Sequence, residues 1–336
     1  MSDPMAPVVT FGEVLLRLSP PESERLFQSP SLRTWWGGAE ANVAAGLANL
    51  GTVAQHVTVL PEGPVGDAAA RALRAEGVDT GKVQRRGSRM GLYFLEGGAD
   101  VRPLRVVYDR AHSAFSQLDP AHFDWASLLR GARWLHLSGI SPALGDAPLQ
   151  CVHDALDAAE AQRIPVSLDL NYRPALWVGR DPRPIMQPLA ARATLLVANP
   201  GAIEVMLGQT TAGSAPESPD AVQATAEALH RAYGCARVAI TQREILSASV
   251  HGWQAHLWDA ATHTIQYGGR YQVRLVDRVG GGDAFVAGLL HRLLADAPLD
   301  AAVRFATAAG ALKLTIPGDI NRVRAADVEQ LLSAVT

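Results

Sequence analysis

The stretch Val276-Asp277-Arg278-Val279-Gly280-Gly281-Gly282-Asp283-Ala284-Phe285 joins a strand-like run to a strongly helical one. Three consecutive glycines at such a junction let the backbone approach a ligand closely. The first amides of a helix lack internal partners and point outward, and the helix dipole favours negative charge there. The pattern therefore predicts an anion site at Gly280, Gly281 and Gly282. Asp283 stands beside it, where a carboxylate is out of place unless it handles a proton. Read alone, the stretch is equally a glycine turn with an aspartate cap.

A second glycine-led helix start lies near the N-terminus: Gly37-Gly38-Ala39-Glu40-Ala41-Asn42-Val43-Ala44. The Asn42 side chain could bind a polyol; the plain alternative is close packing of small residues. Between the two motifs, apolar runs at Val8–Phe11, His56–Leu60, Trp134–Leu137, Val166–Leu170, Leu195–Ala198 and Val238–Thr241 read as strands buried on both faces. Helical spacing recurs at Asn42–Leu50, Asp146–Gln162, Ala221–Tyr233, Asp283–Leu294 and Leu299–Leu314. This alternation predicts an α/β fold, a parallel sheet covered by helices. Two regions break it. Gly91–Leu95 and Leu104–Tyr108 read as a strand pair projecting from the core, with the polar stretch Pro20–Trp36 running along the same side. Ser214–Asp220 reads as a surface loop.

Composition narrows the classes. The chain has 336 residues, 48% hydrophobic and 19% charged, which suits a globular protein rather than a disordered one. A net charge of -3 gives no electrostatic case for nucleic acid. The two cysteines, Cys151 and Cys235, make neither a disulfide framework nor a metal-ligand spacing. The N-terminal MSDPMAPVVTFGEV lacks a signal-peptide pattern, and no apolar run is long enough to span a bilayer. The expectation is a cytoplasmic protein that is not membrane-bound.

Taken together, the two glycine motifs resemble the paired signatures of ribokinase-like (PfkB-type) carbohydrate kinases. Within that family the chain resembles 2-keto-3-deoxygluconate kinases, through Gly12-Glu13-Val14-Leu15-Leu16-Arg17-Leu18-Ser19-Pro20-Pro21, Tyr108-Asp109-Arg110-Ala111-His112-Ser113-Ala114-Phe115-Ser116, Asp169-Leu170-Asn171-Tyr172-Arg173-Pro174-Ala175-Leu176-Trp177 and Ile316-Pro317-Gly318-Asp319. The resemblance implies one ribokinase-like domain over residues 1–336. Its fold would be a three-layer sandwich around a mainly parallel sheet, with a small β-sheet lid from parts of about 12–36 and 88–116.

The resemblance also implies an ATP-dependent sugar-acid kinase. Asp283 would be the base, and the Gly280–Gly282 amides would stabilise the transferring phosphoryl. Gly37, Gly38, Asn42, Tyr93, Tyr108, Arg110, Arg173 and Asp319 would hold the sugar, with Arg110 at the carboxylate. Asn171, Arg173, Asn199, Thr241, Arg243, Gly280 and Gly282 would face the nucleotide. Magnesium would bridge the phosphates, and the lid would pair subunits into a homodimer or larger oligomer.

The chain departs from the family pattern in two places. Asn199-Pro200-Gly201-Ala202-Ile203-Glu204 has alanine where many members carry an acidic residue, leaving Glu204 as an indirect metal candidate. Thr241-Gln242-Arg243-Glu244-Ile245-Leu246-Ser247-Ala248-Ser249 lacks the glycine-containing turn common at that point. Competing expectations are a kinase for fructose, ribose or a nucleoside, and a catalytically silent sugar-binding regulator. A dinucleotide-binding dehydrogenase is disfavoured, because the N-terminal glycines do not form Gly-x-Gly-x-x-Gly after the first strand.

Overall fold

A computed structural model describes residues 6–211 and 218–335 of the chain. Its strands are β1 (Val8–Phe11), β2 (Leu15–Ser19), β3 (Arg33–Gly37), β4 (Ala54–Val57), β5 (Val59–Leu60), β6 (Gln84–Arg85), β7 (Gly91–Glu96), β8 (Arg105–Asp109), β9 (Trp134–Ser138), β10 (Val166–Asp169), β11 (Leu195–Ala198), β12 (Arg237–Ile245), β13 (Val250–Asp259) and β14 (Thr264–Arg274). Eight of them form one sheet in the order β14-β13-β12-β11-β10-β9-β1-β4. The ladders from β4 to β12 are parallel, and β12, β13 and β14 run antiparallel.

Successive residues of the central strands feed two separate cores. On β11, Leu195 and Val197 join one cluster while Leu196 and Ala198 join the other. Side chains alternate across a strand, so an apolar run without alternation must be covered on both faces. The helices Ala39–Leu50, Pro64–Ala75, Gly281–Leu294, Leu299–Lys313 and Ala325–Val335 cover the first face. The helices Asp146–Ala161, Arg183–Ala190 and Pro219–Tyr233 cover the second. The result is the three-layer α/β/α sandwich expected of a ribokinase-like fold.

Several elements differ from the sequence expectation. The run at His56–Leu60 is not one strand. It divides at Thr58 into β4, which joins the large sheet, and β5, which pairs with β6. The stretch expected to run beside the projecting pair ends in a strand of its own, β3, and is preceded by another, β2. β2 pairs in parallel with β7, and β3 pairs with β2, giving a four-stranded sheet in the order β3-β2-β7-β8. Of the expected surface loop, 214–217 lies outside the described residues. Ser218 caps the helix that Pro219 opens.

The long β12–β13–β14 meander leans over the same end of the sheet. Its first tip meets the β7–β8 connection, where Ala248 N donates to Asp100 O at 2.9 Å and Asp100 N to Ser249 Oγ at 2.8 Å. No helix among the described residues is long and apolar enough to cross a membrane.

Candidate active site

The two glycine-led helices, Ala39–Leu50 and Gly281–Leu294, pack side by side, Gly46 of one facing Ala287 of the other. Their first turns therefore meet. Asn42 Nδ2 donates to Asp283 Oδ2 at 2.7 Å, and both residues are buried. The glycines allow this approach for different reasons. A side chain on Gly280 would strike the Asp319 carbonyl oxygen, and its φ of 84° lies in the left-handed region. A side chain on Gly281 would crowd Leu314, whereas Gly282 faces open space. Gly37 leaves room for the Asp319 carboxylate, and Gly38 for the Glu13 carbonyl.

Asp283 is pushed up to about 6, chiefly by burial; the Asn42 hydrogen bond and the Arg173 charge pull the other way. Two further carboxylates lie near it. Burial raises Asp169 to about 7, with Asp283 as the next contributor. Asp169 Oδ1 accepts from Asn171 N at 3.0 Å. Burial also raises Glu40 to about 7; its Oε1 accepts from Ser138 Oγ at 2.7 Å. Like charges in a low-dielectric site hold one another's protons, so this cleft keeps a carboxylate poised close to neutrality.

Asp319 closes the site from the C-terminal side. Tyr93 of β7 donates its hydroxyl to Asp319 Oδ2, and Arg17 of β2 donates to Oδ1 at 2.9 Å. The same Arg17 nitrogen reaches Asp277 Oδ2 at 2.7 Å. Tyr108 stands beside Tyr93, with ring centroids 6.0 Å apart. Behind the glycine turn lies the fully buried Lys313, whose Nζ donates to Ile316 O at 3.0 Å. The four-stranded sheet is thus tied to the glycine turn by buried charge.

Some expected contacts are arranged otherwise. Arg110, expected to face a substrate carboxylate with its whole fork, gives Nε (2.9 Å) and Nη2 to Glu13 Oε2. Ser113 Oγ donates to the other Glu13 oxygen. Both charged residues are buried, and a buried charge without a partner is costly, so the pair forms within the protein. Asn199 Oδ1 caps the following turn at Ala202 N, 3.0 Å away. The Thr241 hydroxyl turns to Ala198 O at 3.4 Å.

Glu204, the metal candidate, is drawn instead to Thr211 Oγ1 at 2.6 Å. Among the described residues, no group of three or more His, Cys, Asp or Glu is arranged to hold a metal ion. The donor set does not build a magnesium cage. A magnesium ion here would have to be carried by phosphate and water ligands, as that ion commonly is.

Arg173 and Arg243 open onto the cleft, and Arg173 lies near both Asp283 and Asp169. Sequence reasoning did not single out Glu13, Arg17, Glu40, Asp277 or Lys313 as site residues. The signal for Glu40 was present in its position between Gly38 and Asn42. The others reveal themselves only through partners far away in sequence.

The family profile described as pfkB family carbohydrate kinase matches residues 5–326, nearly the whole chain. The chain belongs to the PfkB family of carbohydrate kinases. Among relatives of this PfkB kinase, 2-dehydro-3-deoxygalactonokinase of Haloferax volcanii is 33% identical over 327 residues, covering 97% of this chain and 96% of the relative. The 2-dehydro-3-deoxygluconokinase of Bacillus subtilis is 28% identical over 320 residues, covering 93% and 91%. The crystal structure of 2-dehydro-3-deoxygluconokinase from Thermotoga maritima superposes with a TM-score of 0.94 at 44% identity, covering 98% of this chain and 99% of that one.

Proposed function

We propose that this PfkB kinase transfers the γ-phosphoryl group of ATP to the terminal hydroxyl of a 2-keto-3-deoxy sugar acid, the gluconate or its galacto epimer. The observation that carries the reading is the buried Asn42–Asp283 pair at the mouth of the glycine-led helix. Asp283 takes the proton of the attacking hydroxyl while Asn42 fixes its carboxylate. The attacking oxygen forms a bond to phosphorus as the bond to the leaving ADP oxygen breaks. Amides at Gly281 and Gly282 lie where charge grows on the transferring group, and such preorganised donors stabilise it without reorganising. Magnesium, when present, screens the phosphate charge.

Tyr93, Tyr108 and the Arg110–Glu13 pair lie on or beside the inner face of the four-stranded sheet, which acts as a lid over the sugar. Excluding water there limits wasted ATP. Arg110 Nη1 stays free of Glu13 and is the donor for the sugar's carboxylate. The outer face of the lid pairs two subunits. The sugar-acid reading draws on the names of the relatives.

A second reading, a neutral-sugar kinase, draws on the engagement of Arg110 with Glu13. A panel of ATP-dependent assays separates the two. We expect the specificity constant for 2-keto-3-deoxygluconate or 2-keto-3-deoxygalactonate to exceed that for fructose or ribose by at least about tenfold, the value of a charged hydrogen bond. A preference for fructose or ribose would assign the neutral sugar.

A further inference from the structure

Lys313 takes no part in the mechanism above, yet it is fully buried beside the site. It ends the helix Leu299–Lys313, and its side chain passes under the glycine turn. Its Cε lies 3.2 Å from where a side chain on Gly280 would begin. The next residue, Leu314, accepts at its carbonyl from Val276 N at 2.9 Å and Asp277 N at 3.2 Å, which fixes the lysine backbone against the approach to the turn. The Lys313 ammonium donates to Ile316 O at 3.0 Å and makes no ion pair among the described residues. Burying an ammonium is costly unless its charge is compensated, and an apolar side chain of similar length would fill the space without that cost. Packing alone therefore does not account for a lysine here.

The local balance of charge does. Two buried carboxylates, Asp277 and Asp319, hold the glycine turn. Asp277 accepts from Val279 N at 3.1 Å and from Gly318 N at 3.0 Å, so it ties the turn to the segment that carries Asp319. Arg17 is ion-paired with both, through one nitrogen. One guanidinium against two carboxylates leaves a negative charge beside the place that must receive a phosphoryl group. Lys313 is the second cation of the set. Burial lowers it, Asp277, Asp319 and Asp283 pull it back up, and Arg17 opposes them. Asp283 is in turn faced by Asn42, Arg173, Asp319 and Lys313, and it senses Asp169 and Glu40.

We infer that Lys313 is a positioning residue for phosphoryl transfer: its ammonium, held under the glycine turn, supplies the second buried positive charge opposite Asp277 and Asp319 and holds Asp283 in its proton-accepting form. It acts through the turn and the base and touches neither substrate. Its charge stands behind the Gly281 and Gly282 amides and adds to the field of the helix N-terminus. This role rests on the reading of Asp283 as the base of a kinase.

Lys313→Met removes the charge and the hydrogen bond. Lys313→Gln removes the charge and keeps a donor for Ile316 O. Each is compared with the wild type in a pH–rate profile on the sugar acid. Without the neighbouring cation, ionised Asp283 is harder to form. The acid limb, at about pH 6 in the wild type, therefore moves up by about one pH unit in both variants. Turnover near that pH falls about fivefold, and turnover well above the limb changes little.

A second measurement needs no substrate. The rise in melting temperature that Asp283→Asn gives near pH 8 is larger in the Lys313→Met and Lys313→Gln backgrounds than in the wild type, because the ionised carboxylate has lost its cation. An acid limb that stays in place in both variants would overturn the inference. So would a limb that moves in Lys313→Met alone, which would assign the role to the hydrogen bond, and so would equal melting gains in all backgrounds. Unequal melting gains in a wild type that phosphorylates no sugar acid would leave the charge role of Lys313 standing and remove the substrate reading.

Discussion

As the proposed base, Asp283 carries two opposing demands. To accept a proton it must be ionised, and to sit against Asn42 at the head of the helix it must be buried. Burial raises it from an ordinary 3.8 to about 6. Turnover should therefore rise with pH through about 6 and level off above, as an unprotonated base requires. Asp283→Asn should remove that acid limb and lower kcat by about a hundredfold or more, the usual scale of general-base catalysis. A pH–rate profile on both proteins checks this, and an unaltered acid limb in the variant would assign it to another group.

The same shift has a stability consequence. A carboxylate raised in the folded state binds its proton more tightly there than when unfolded, so folding gains below its ordinary value and loses as pH rises through about 6. Asp283→Asn should melt above the wild type near pH 8, with the difference gone near pH 4. Equal melting curves at pH 8 would mean that the ionised group is better solvated than its burial implies. Asp283 and Asn42 could be singled out from sequence because glycines announce both turns. The Arg17 bridge could not: Asp319 was expected at the sugar and Asp277 stands in the glycine motif, but nothing local links either to Arg17, roughly 260 to 300 residues earlier.

At the scale of the element, the glycine turn divides into two jobs. Gly280 is held left-handed against the Asp319 carbonyl, and Gly282 faces open space. Gly280→Ala should lower stability by about 1–3 kcal/mol, because the backbone must shift or strain. Gly282→Ala should leave the melting temperature nearly unchanged while turnover falls, if a phosphate stands where the new methyl would sit. Thermal melts and steady-state rates on the two variants separate the roles. Full turnover in Gly282→Ala would move the phosphoryl elsewhere.

Elements were legible in proportion to how evenly they are buried. β1, β9, β10 and β11 lie between two helical layers and read as plain apolar runs. β2 and β3 carry Arg17, Ser19, Arg33 and Thr34, because one sheet face meets charge or solvent; β2 does not read as a strand, and most of β3 falls in the stretch that reads as polar. β13 and β14 were missed for a related reason. Buried His251, Gln254 and His256 interrupt the apolar signal, and the register slips between Gln254 and His256.

At the scale of the whole molecule, the outer face of the four-stranded sheet carries apolar side chains that the core does not use. Phe94 pairs with Val107 across β7 and β8, on the opposite face from Tyr93 and Tyr108. Phe27, 69% exposed, packs over Phe94 with centroids 5.8 Å apart, and Val107 is 40% exposed. If this face pairs subunits, Phe27→Glu with Val107→Glu should convert a dimer to a monomer in sedimentation velocity without unfolding it. A wild type that sediments as a monomer would remove the lid interface.

The bonds that make the site also span most of the chain. Asn42 and Asp283 are 241 residues apart, and Arg17 and Asp319 are 302. During synthesis at ~5–20 residues per second, Asn42 waits roughly 10 to 50 s for its partner. A nascent chain can bury β1 and its neighbours long before a base exists. If Asp283 is the base, a nascent chain shorter than about 283 residues holds folded strands but no catalytic pair, so the site is assembled late, however early the first half folds.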